Sequence, residues 1–181
     1  MNSELFINTK IMTEEQLTDK AYSTDIPHLS DLKNYVSKEL GLSEWFSITQ
    51  NQIDTFAKTT EDDQWIHTDP EMAAKHSPFK KTIAHGFLIL SLASKLCFET
   101  YTILDISMGL NYGLDKVRFI NPVLVDSQLR GRVSLLSTND VTGGVRYKMK
   151  VTFELKGQEK PACVAEFIAQ AYADSTKKTA H

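Results

Sequence analysis

A run of apolar residues from Ile83 to Phe98 constrains the fold more than any other stretch of the chain. Apolar side chains recur on every side of a helical wheel in this run, rather than along one stripe. A helix of that kind is buried on all sides, so we expect a central helix that other elements must cover. Gly86 stands near the predicted start of the helix, where a missing side chain lets another group approach the backbone closely.

The strands that cover this helix are predicted to follow it. Apolar and polar residues alternate in successive segments, most clearly from Val145 to Leu155, and alternation with a period of two is typical of half-buried strands. A short strand is predicted before the helix, around 45–48. The four later strands are predicted at 106–113, 129–135, 145–155 and 162–172. We therefore expect an α+β fold in which a curved antiparallel sheet wraps around a long, buried central helix.

Three further helices are predicted before the apolar run. Residues 29–40 place leucine and aromatic side chains at intervals of three and four, which indicates an amphipathic helix. Thr49 and Gln52 have the form of a capping box, which opens a helix by bonding each side chain to the other residue's backbone amide. Asp69 followed by Pro70 has the form of a third helix start.

The chain length of 181 residues fits one domain. We place that domain at 29–174. Residues 1–28 are polar with isolated apolar side chains, and they predict an N-terminal arm with partial disorder. Residues 175–181 predict a frayed polar tail.

Composition excludes several classes of partner. A formal net charge of −3 gives no electrostatic attraction to nucleic acid or to an anionic membrane. No segment approaches the roughly 20 apolar residues of a membrane span, and the N-terminal residues lack a signal-peptide pattern. Cys97 and Cys163 have no repeated spacing, which argues against a disulfide framework or a zinc site. We expect a cytoplasmic protein.

An acid and an imidazole stand shortly before the apolar run. Asp62 and His67 are five residues apart, about 140° around a helix and on opposite faces of a strand, so only an irregular turn can bring them together. A carboxylate accepts hydrogen bonds and a neutral imidazole donates or accepts, so such a pair can orient a water molecule and move its proton. From residue types alone, a solvated acid and a hydrogen-bonded core histidine are the commoner arrangements.

The residues around this pair resemble a known family. Four parts of the sequence are similar to the MaoC-like (R)-specific enoyl-CoA hydratases: Asp62–Pro70, Ile83–Phe87, Ser94 and the segment 111–123. The resemblance covers roughly residues 32–173. Within that family, Gln64-Trp65-Ile66-His67 is similar to the branch of nodulation protein N and the mycobacterial hydratase-like proteins. Two departures from the commoner family pattern are Glu61, where a glycine is usual, and Gln64-Trp65, where Asn-Pro is usual.

The resemblance implies a fold, a reaction and a set of residues. The fold is the hotdog fold, usually a homodimer, and the reaction is reversible hydration of a trans-2-enoyl-CoA to the (R)-3-hydroxyacyl-CoA. Asp62 and His67 are implied as the catalytic pair on a bound water. Gly86 is implied as the amide that binds the thioester oxygen, and Ser94 as a residue that helps hold the water or the thioester. No metal and no redox cofactor is implied, and His85 is expected to fix the start of the helix.

Several alternatives stay open on the sequence. A dehydratase acting on carrier-protein thioesters, a hotdog thioesterase and a non-catalytic acyl-thioester binding protein share these features. An iron oxygenase is suggested by His67-Thr68-Asp69, but the distant second histidine of such sites is missing. No motif for the phosphates of CoA is present, and the basic residues that we consider for this role are Lys80, Lys81, Lys116 and Arg118.

Overall fold

The chain forms short helices and strands up to residue 100 and mainly long strands after it. The computed structural model describes residues 19–174. The helices, numbered α1 to α5, are Gln50–Thr60, Trp65–Thr68, Pro70–His76, Gly86–Ser91 and Ala93–Thr100. The strands, numbered β1 to β8, are Tyr22–Ile26, Glu39–Leu42, Phe46–Ser47, Tyr101–Ile103, Ile106–Phe119, Gln128–Val141, Gly144–Leu155 and Cys163–Ala173. None of the described helices is long and apolar enough to span a membrane.

The described strands form one sheet. Its order is β4-β1-β2-β6-β7-β8-β5, and β3 pairs with β6 beside this path. β1 and β4 run parallel, while the other neighbours are antiparallel. The expected antiparallel sheet is therefore confirmed, with one parallel pair at an edge.

Helix α5 packs on the inner face of this sheet, where two glycines allow close approach. Leu96 is fully buried, and a side chain at Gly131 of β6 would come within 2.5 Å of it. A side chain at Gly41 of β2 would come within 2.2 Å of the Thr100 carbonyl oxygen. The sheet can wrap the helix this tightly because neither position carries a Cβ.

The predicted central helix is less continuous and less covered than its sequence pattern suggests. It is divided into α4 and α5 at Leu92, whose amide bonds to the Ile89 carbonyl only three residues back. Phe87 and Phe98 are 70% and 83% exposed. The prediction of burial on all sides was therefore wrong for a single chain, because the sheet covers only one side of α4 and α5.

Two N-terminal predictions were also wrong. Residues 29–40 do not form one α-helix: a 3₁₀ helix spans Leu29–Tyr35, and Glu39–Leu42 is strand β2. Tyr22–Ile26, which we placed in the N-terminal arm, is strand β1 and pairs with both β2 and β4. Residues 1–18 and the tail 175–181 lie outside the described residues, so those parts of the prediction stay predictions.

The prediction for β5 was correct in position but wrong in burial. The strand extends to Phe119 and lies at the edge of the sheet, paired with β8. Most of its apolar side chains are exposed, whereas alternation had predicted one buried face; Met108, Leu110, Tyr112 and Leu114 are 40% to 57% exposed. Helices α4 and α5 touch this edge strand at Phe119 and Asn111 but leave most of its apolar side chains uncovered in the single chain.

The capping box of α1 was predicted correctly and is open to a direct test. Thr49 Oγ1 accepts a hydrogen bond from the Gln52 amide, and Gln52 Oε1 accepts one from the Thr49 amide. We expect Thr49→Ala to lower the free energy of unfolding by about 1 kcal/mol, because a helix-capping acceptor is lost. Urea denaturation followed by circular dichroism measures this loss.

Thr59→Ala is the matched control for this prediction. Thr59 lies in the same helix, and its hydroxyl donates to the Thr55 carbonyl. Alanine is the better helix former at such an interior site, so this change should not destabilise the protein. Equal losses in the two variants would contradict a capping role for Thr49.

Candidate active site

The loop after α1 brings Asp62 and His67 to one place. Helix α1 ends at Glu61, whose φ of 60° is left-handed and turns the chain sharply. One helical turn, α2, then carries His67, and the carboxylate of Asp62 and a ring nitrogen of His67 lie within 4.8 Å of each other. The predicted convergence across an irregular turn is confirmed. Glu61 adopts a conformation that favours glycine, which accounts for the glycine usual at this position in the family.

His67 is held in one tautomer by a main-chain carbonyl. The side chain is 7% exposed, and Nδ1 lies 2.7 Å from the carbonyl oxygen of Ile83. Because a carbonyl only accepts, Nδ1 carries the proton and Nε2 of the neutral ring keeps a lone pair. His67 also lines a cavity of about 320 Å³. The ring can therefore act as a base toward a molecule bound beside it.

Burial sets the protonation state of His67. Burial lowers the pKa of His67 below its ordinary value of 6.5, and His85 lowers it further. The bond to Ile83 and the charge of Asp62 act in the opposite direction. The imidazole is consequently neutral at pH 7, as a general base requires.

Asp62 is the more accessible member of the pair. Its side chain is partly exposed, and Gln64 Nε2 donates a hydrogen bond to Asp62 Oδ1 at 3.2 Å. Gln64, one of the departures from the family pattern, therefore orients the carboxylate. Trp65, which belongs to the same departure, is 39% exposed.

His85 takes a larger part in the site than its expected role at the helix start. It is 3% exposed, its ring stacks on that of His67 with centroids 3.8 Å apart, and Nε2 donates to the Asp62 carbonyl at 2.8 Å. His85 thus ties the start of α4 to the Asp62 loop. Sequence reasoning missed this link because no periodic pattern connects Asp62 with His85, which are 23 positions apart.

Gly86 begins α4 on the wall of the same cavity as His67. A side chain at this position would lie 3.2 Å from the ring of Phe119. Glycine therefore leaves room for close packing and keeps the backbone at the cavity surface. Both interpretations of this glycine, as a packing residue and as an amide facing the substrate, fit its position.

Ser94 is not in the cavity that His67 lines. It lies on α5, accepts a hydrogen bond from Asn111 Nδ2 at 3.1 Å, and lines a second, mostly apolar cavity of about 330 Å³. Ser91, by contrast, bonds back to the Leu88 carbonyl of its own helix. The structure brings Asp62, His67, His85 and Gly86 together and sets Ser94 further along the helices.

The remaining candidates have structural partners. Asp69 caps α3 by accepting from the Met72 amide at 2.9 Å, as its sequence predicts, so the His67-Thr68-Asp69 iron motif is not formed. Lys116 pairs with Glu166 at 2.9 Å. Lys80 bonds to a main-chain carbonyl, and so does Arg118. Lys81 is exposed.

Fold and site together define a class of protein: a hotdog-fold domain with a paired carboxylate and imidazole beside a helix start. The description "MaoC like domain" belongs to the family model that matches residues 31–156, and the chain belongs to this family. The family comprises (R)-hydratases and 3-hydroxyacyl-thioester dehydratases, which are lyases.

Curated relatives match most of the chain. 3-Hydroxyacyl-thioester dehydratase Z of Mycobacterium tuberculosis is 44% identical over 146 residues, which cover 80% of this chain and 96% of the relative. Nodulation protein N of Rhizobium leguminosarum bv. viciae is 46% identical over 143 residues, covering 77% of this chain and 88% of that protein. The branch expected from residues 64–67 is thus confirmed.

Solved structures confirm the hotdog fold. The monoamine oxidase regulatory protein of Archaeoglobus fulgius superposes with a TM-score of 0.67 at 22% identity, covering 82% of this chain and 96% of that one. The (R)-hydratase PhaJ1 of Pseudomonas aeruginosa superposes with a TM-score of 0.59 at 24% identity, covering 72% and 78%.

The protonation state of His67 can be measured directly. We expect the ring resonances of His67 in NMR to titrate below pH 6.5, because burial disfavours the imidazolium. Asp62→Asn should lower this pKa further, because the Asp62 carboxylate favours the charged ring. A His67 pKa above 6.5, or one raised by Asp62→Asn, would contradict the arrangement described here.

Proposed function

We propose that this protein catalyses the reversible syn hydration of a trans-2-enoyl-CoA to the (R)-3-hydroxyacyl-CoA. The observation that carries the proposal is the pairing of Asp62 with a His67 ring whose Nδ1 is fixed on the Ile83 carbonyl. This pairing offers a carboxylate and an imidazole lone pair to one water molecule. In the proposed reaction the groups that move protons are the protein's own, and neither a metal nor a redox cofactor takes part.

His67 and Asp62 have separate tasks in the proposed mechanism. The carboxylate of Asp62 accepts a hydrogen bond from the water and orients its oxygen toward C3 of the enoyl group. Nε2 of His67 accepts the water's second proton as the C–O bond forms. The resulting imidazolium returns a proton to C2 on the same face, which leaves both residues in their starting states and accounts for syn addition.

The thioester oxygen becomes negatively charged as water adds to the double bond. Gly86 lies on the same cavity wall as His67, so its backbone amide is our candidate donor to this oxygen. The amides in the first turn of a helix carry partial positive charge, which favours an anion there. Ser94 and Asn111, which line a second, mostly apolar cavity, are the polar groups that we assign to contact with the bound thioester.

The carrier of the acyl group and the physiological direction are open within this proposal. The name of the mycobacterial relative, a 3-hydroxyacyl-thioester dehydratase, favours a thioester substrate and covers both CoA and carrier-protein forms. We test the reaction with both carriers by following loss of the conjugated thioester absorbance, first with a short enoyl-CoA and then with the same acyl group on a carrier protein. Product chirality must be R. Free thiol release would indicate a thioesterase, and binding without turnover would indicate a binding protein.

Replacing either member of the pair should abolish most of the activity. We expect Asp62→Asn and His67→Ala each to lower kcat at least a hundredfold, since one acid–base role contributes about 10²- to 10⁴-fold. Asp63→Asn is the matched control: Asp63 is an exposed carboxylate next to Asp62, and its loss should leave kcat unchanged. Near-normal rates in Asp62→Asn or His67→Ala, with circular dichroism unchanged, would exclude the assignment.

We also propose that the protein is a cytoplasmic homodimer. Both cysteines are free and buried, which fits a reducing compartment. The exposed edge strand β5 carries a row of apolar side chains, and Phe87 and Phe98 of the helices are exposed as well. An unpaired strand edge beside exposed apolar surface is typical of an interface, and a second copy pairing along β5 would cover both.

Light scattering after size exclusion tests the dimer. We expect a mass of twice the 20.4 kDa chain for the natural protein. Leu110→Glu should shift it toward the monomer, because it puts a charge on the apolar edge. Lys150→Glu, on an exposed position of interior strand β7, is the control and should leave the mass unchanged. A monomeric natural protein would contradict this proposal.

A further inference from the structure

His85 contacts both members of the proposed catalytic pair from outside the cavity that His67 lines. Its ring stacks on the ring of His67, with centroids 3.8 Å apart and an angle of 27° between the ring planes. Its Nε2 donates to the main-chain carbonyl of Asp62 at 2.8 Å. Its neighbours in sequence, Ala84 and Gly86, line the cavity, but His85 is not among the described residues that do. The His85 ring therefore reaches the proposed reaction only through Asp62 and His67.

The hydrogen bonding of the His85 ring is concentrated on one nitrogen. Because a carbonyl only accepts, Nε2 of His85 carries a proton. The other nitrogen, Nδ1, is buried and bonds to none of the residues that the structure describes. A buried acceptor without a partner lowers stability, and a hydrocarbon ring at this position would avoid that loss. The imidazole is therefore explained better by the bond from Nε2 than by packing.

The donor on His85 is held firmly in place. The side chain is 3% exposed, and Phe56 of helix α1 packs against it with ring centroids 5.1 Å apart. The preceding residue is fixed as well, because the Ala84 amide donates to the Val123 carbonyl at 2.8 Å. The Nε2 donor thus gives the loop that carries Asp62 one defined position.

The bond from His85 supplies a restraint that contacts within the Asp62 loop do not. Gln64 Nε2 donates to the Asp62 carboxylate at 3.2 Å, but Gln64 belongs to the same loop and moves with it. His85 lies 23 positions after Asp62, directly before helix α4. Its bond to the Asp62 carbonyl therefore fixes the loop relative to that helix.

We propose that His85 is a positioning residue, which sets the spacing between the Asp62 carboxylate and the His67 ring by bonding to the Asp62 carbonyl while its own ring lies against His67. The inference rests on the proposed hydration, in which both groups must reach one water molecule. A fixed imidazole that touches both segments holds them at this spacing before the substrate binds, so the reaction needs little reorganisation. His85 itself moves no proton and touches no substrate.

Two substitutions separate positioning from packing. His85→Gln places an amide nitrogen the same number of bonds from Cα as Nε2, so it keeps a donor for the Asp62 carbonyl. His85→Phe keeps an aromatic ring against His67 but removes the donor. If His85 only filled space, phenylalanine would be the better replacement. If His85 positions Asp62, glutamine is the better one.

The first measurement is the hydration of a short enoyl-CoA by the full-length protein. We expect His85→Phe to lower kcat about tenfold to a hundredfold, because a small misplacement of a reacting group has an effect of this size. KM should change less than about twofold, since the proposal gives His85 no contact with the substrate. His85→Gln should recover most of the lost kcat. His76→Phe, the same exchange at an exposed histidine of α3, is the matched control and should leave both constants unchanged.

The second measurement does not depend on activity. Besides burial, three groups act on the pKa of His67: the Ile83 carbonyl, His85, and Asp62, whose charge raises it. NMR measures the effect of Asp62 as the fall in the His67 pKa on Asp62→Asn. This fall should be smaller in the His85→Phe background and preserved in the His85→Gln background, because only His85→Phe releases the Asp62 carbonyl. Comparing the two falls removes the direct effect of His85 on His67.

Better retention by His85→Gln than by His85→Phe in both measurements supports the positioning role. Equal losses of kcat in the two variants, or the same fall in the His67 pKa in every background, overturn it. If circular dichroism shows that His85→Phe is unfolded, His85→Asn replaces it, because its amide nitrogen takes the place of Nδ1 rather than Nε2. A natural protein without hydratase activity would remove the proposed function, while the NMR comparison would still decide whether His85 positions Asp62.

Discussion

The arrangement of the site depends on hydrogen bonds that join two segments far apart in the sequence. His67 donates to the Ile83 carbonyl, the Ile83 amide donates to the Ile66 carbonyl, and His85 donates to the Asp62 carbonyl. Each segment therefore gives a donor to the other and receives one from it. Because two of these bonds come from imidazole rings, the same contacts that close the loop also fix both tautomers, and only one nitrogen of each ring stays available for chemistry.

These hydrogen bonds lie next to the closely packed contact between helix α5 and the sheet. Helix α5 sits on β2 and β6 without a Cβ between backbone and helix at Gly41 and Gly131, so the start of α4 has a fixed position relative to the sheet. The site stands at the start of α4, and Asp62 is its partly exposed member. In contrast, much of the apolar edge strand β5 and Phe98 are exposed within one chain. The buried face of the molecule positions the site, and the uncovered face is where a second copy is proposed.

The predictions succeeded where the signal was local. The capping box at Thr49, the cap at Asp69 and the long strands follow from side chains that act on neighbours within four residues or repeat every second residue. They failed where the structure of a segment depends on a partner that is distant in the sequence. The pattern at 29–40 fits a helix, but residues Glu39–Leu42 form a strand because they pair with β1 and β6. Periodicity likewise identifies an apolar face, but it does not say whether anything in the same chain covers it.

By itself the sequence determined the α+β fold class, which follows from local patterns, and the family resemblance, which in turn marked Asp62 and His67 as the candidate pair. Only the tertiary structure showed that His85 stacks on His67 and bonds to the Asp62 loop, and that Ser94 lines a different cavity from His67. The physical reason is that tautomers, stacking and burial are set by contacts between segments that meet only when the chain has folded.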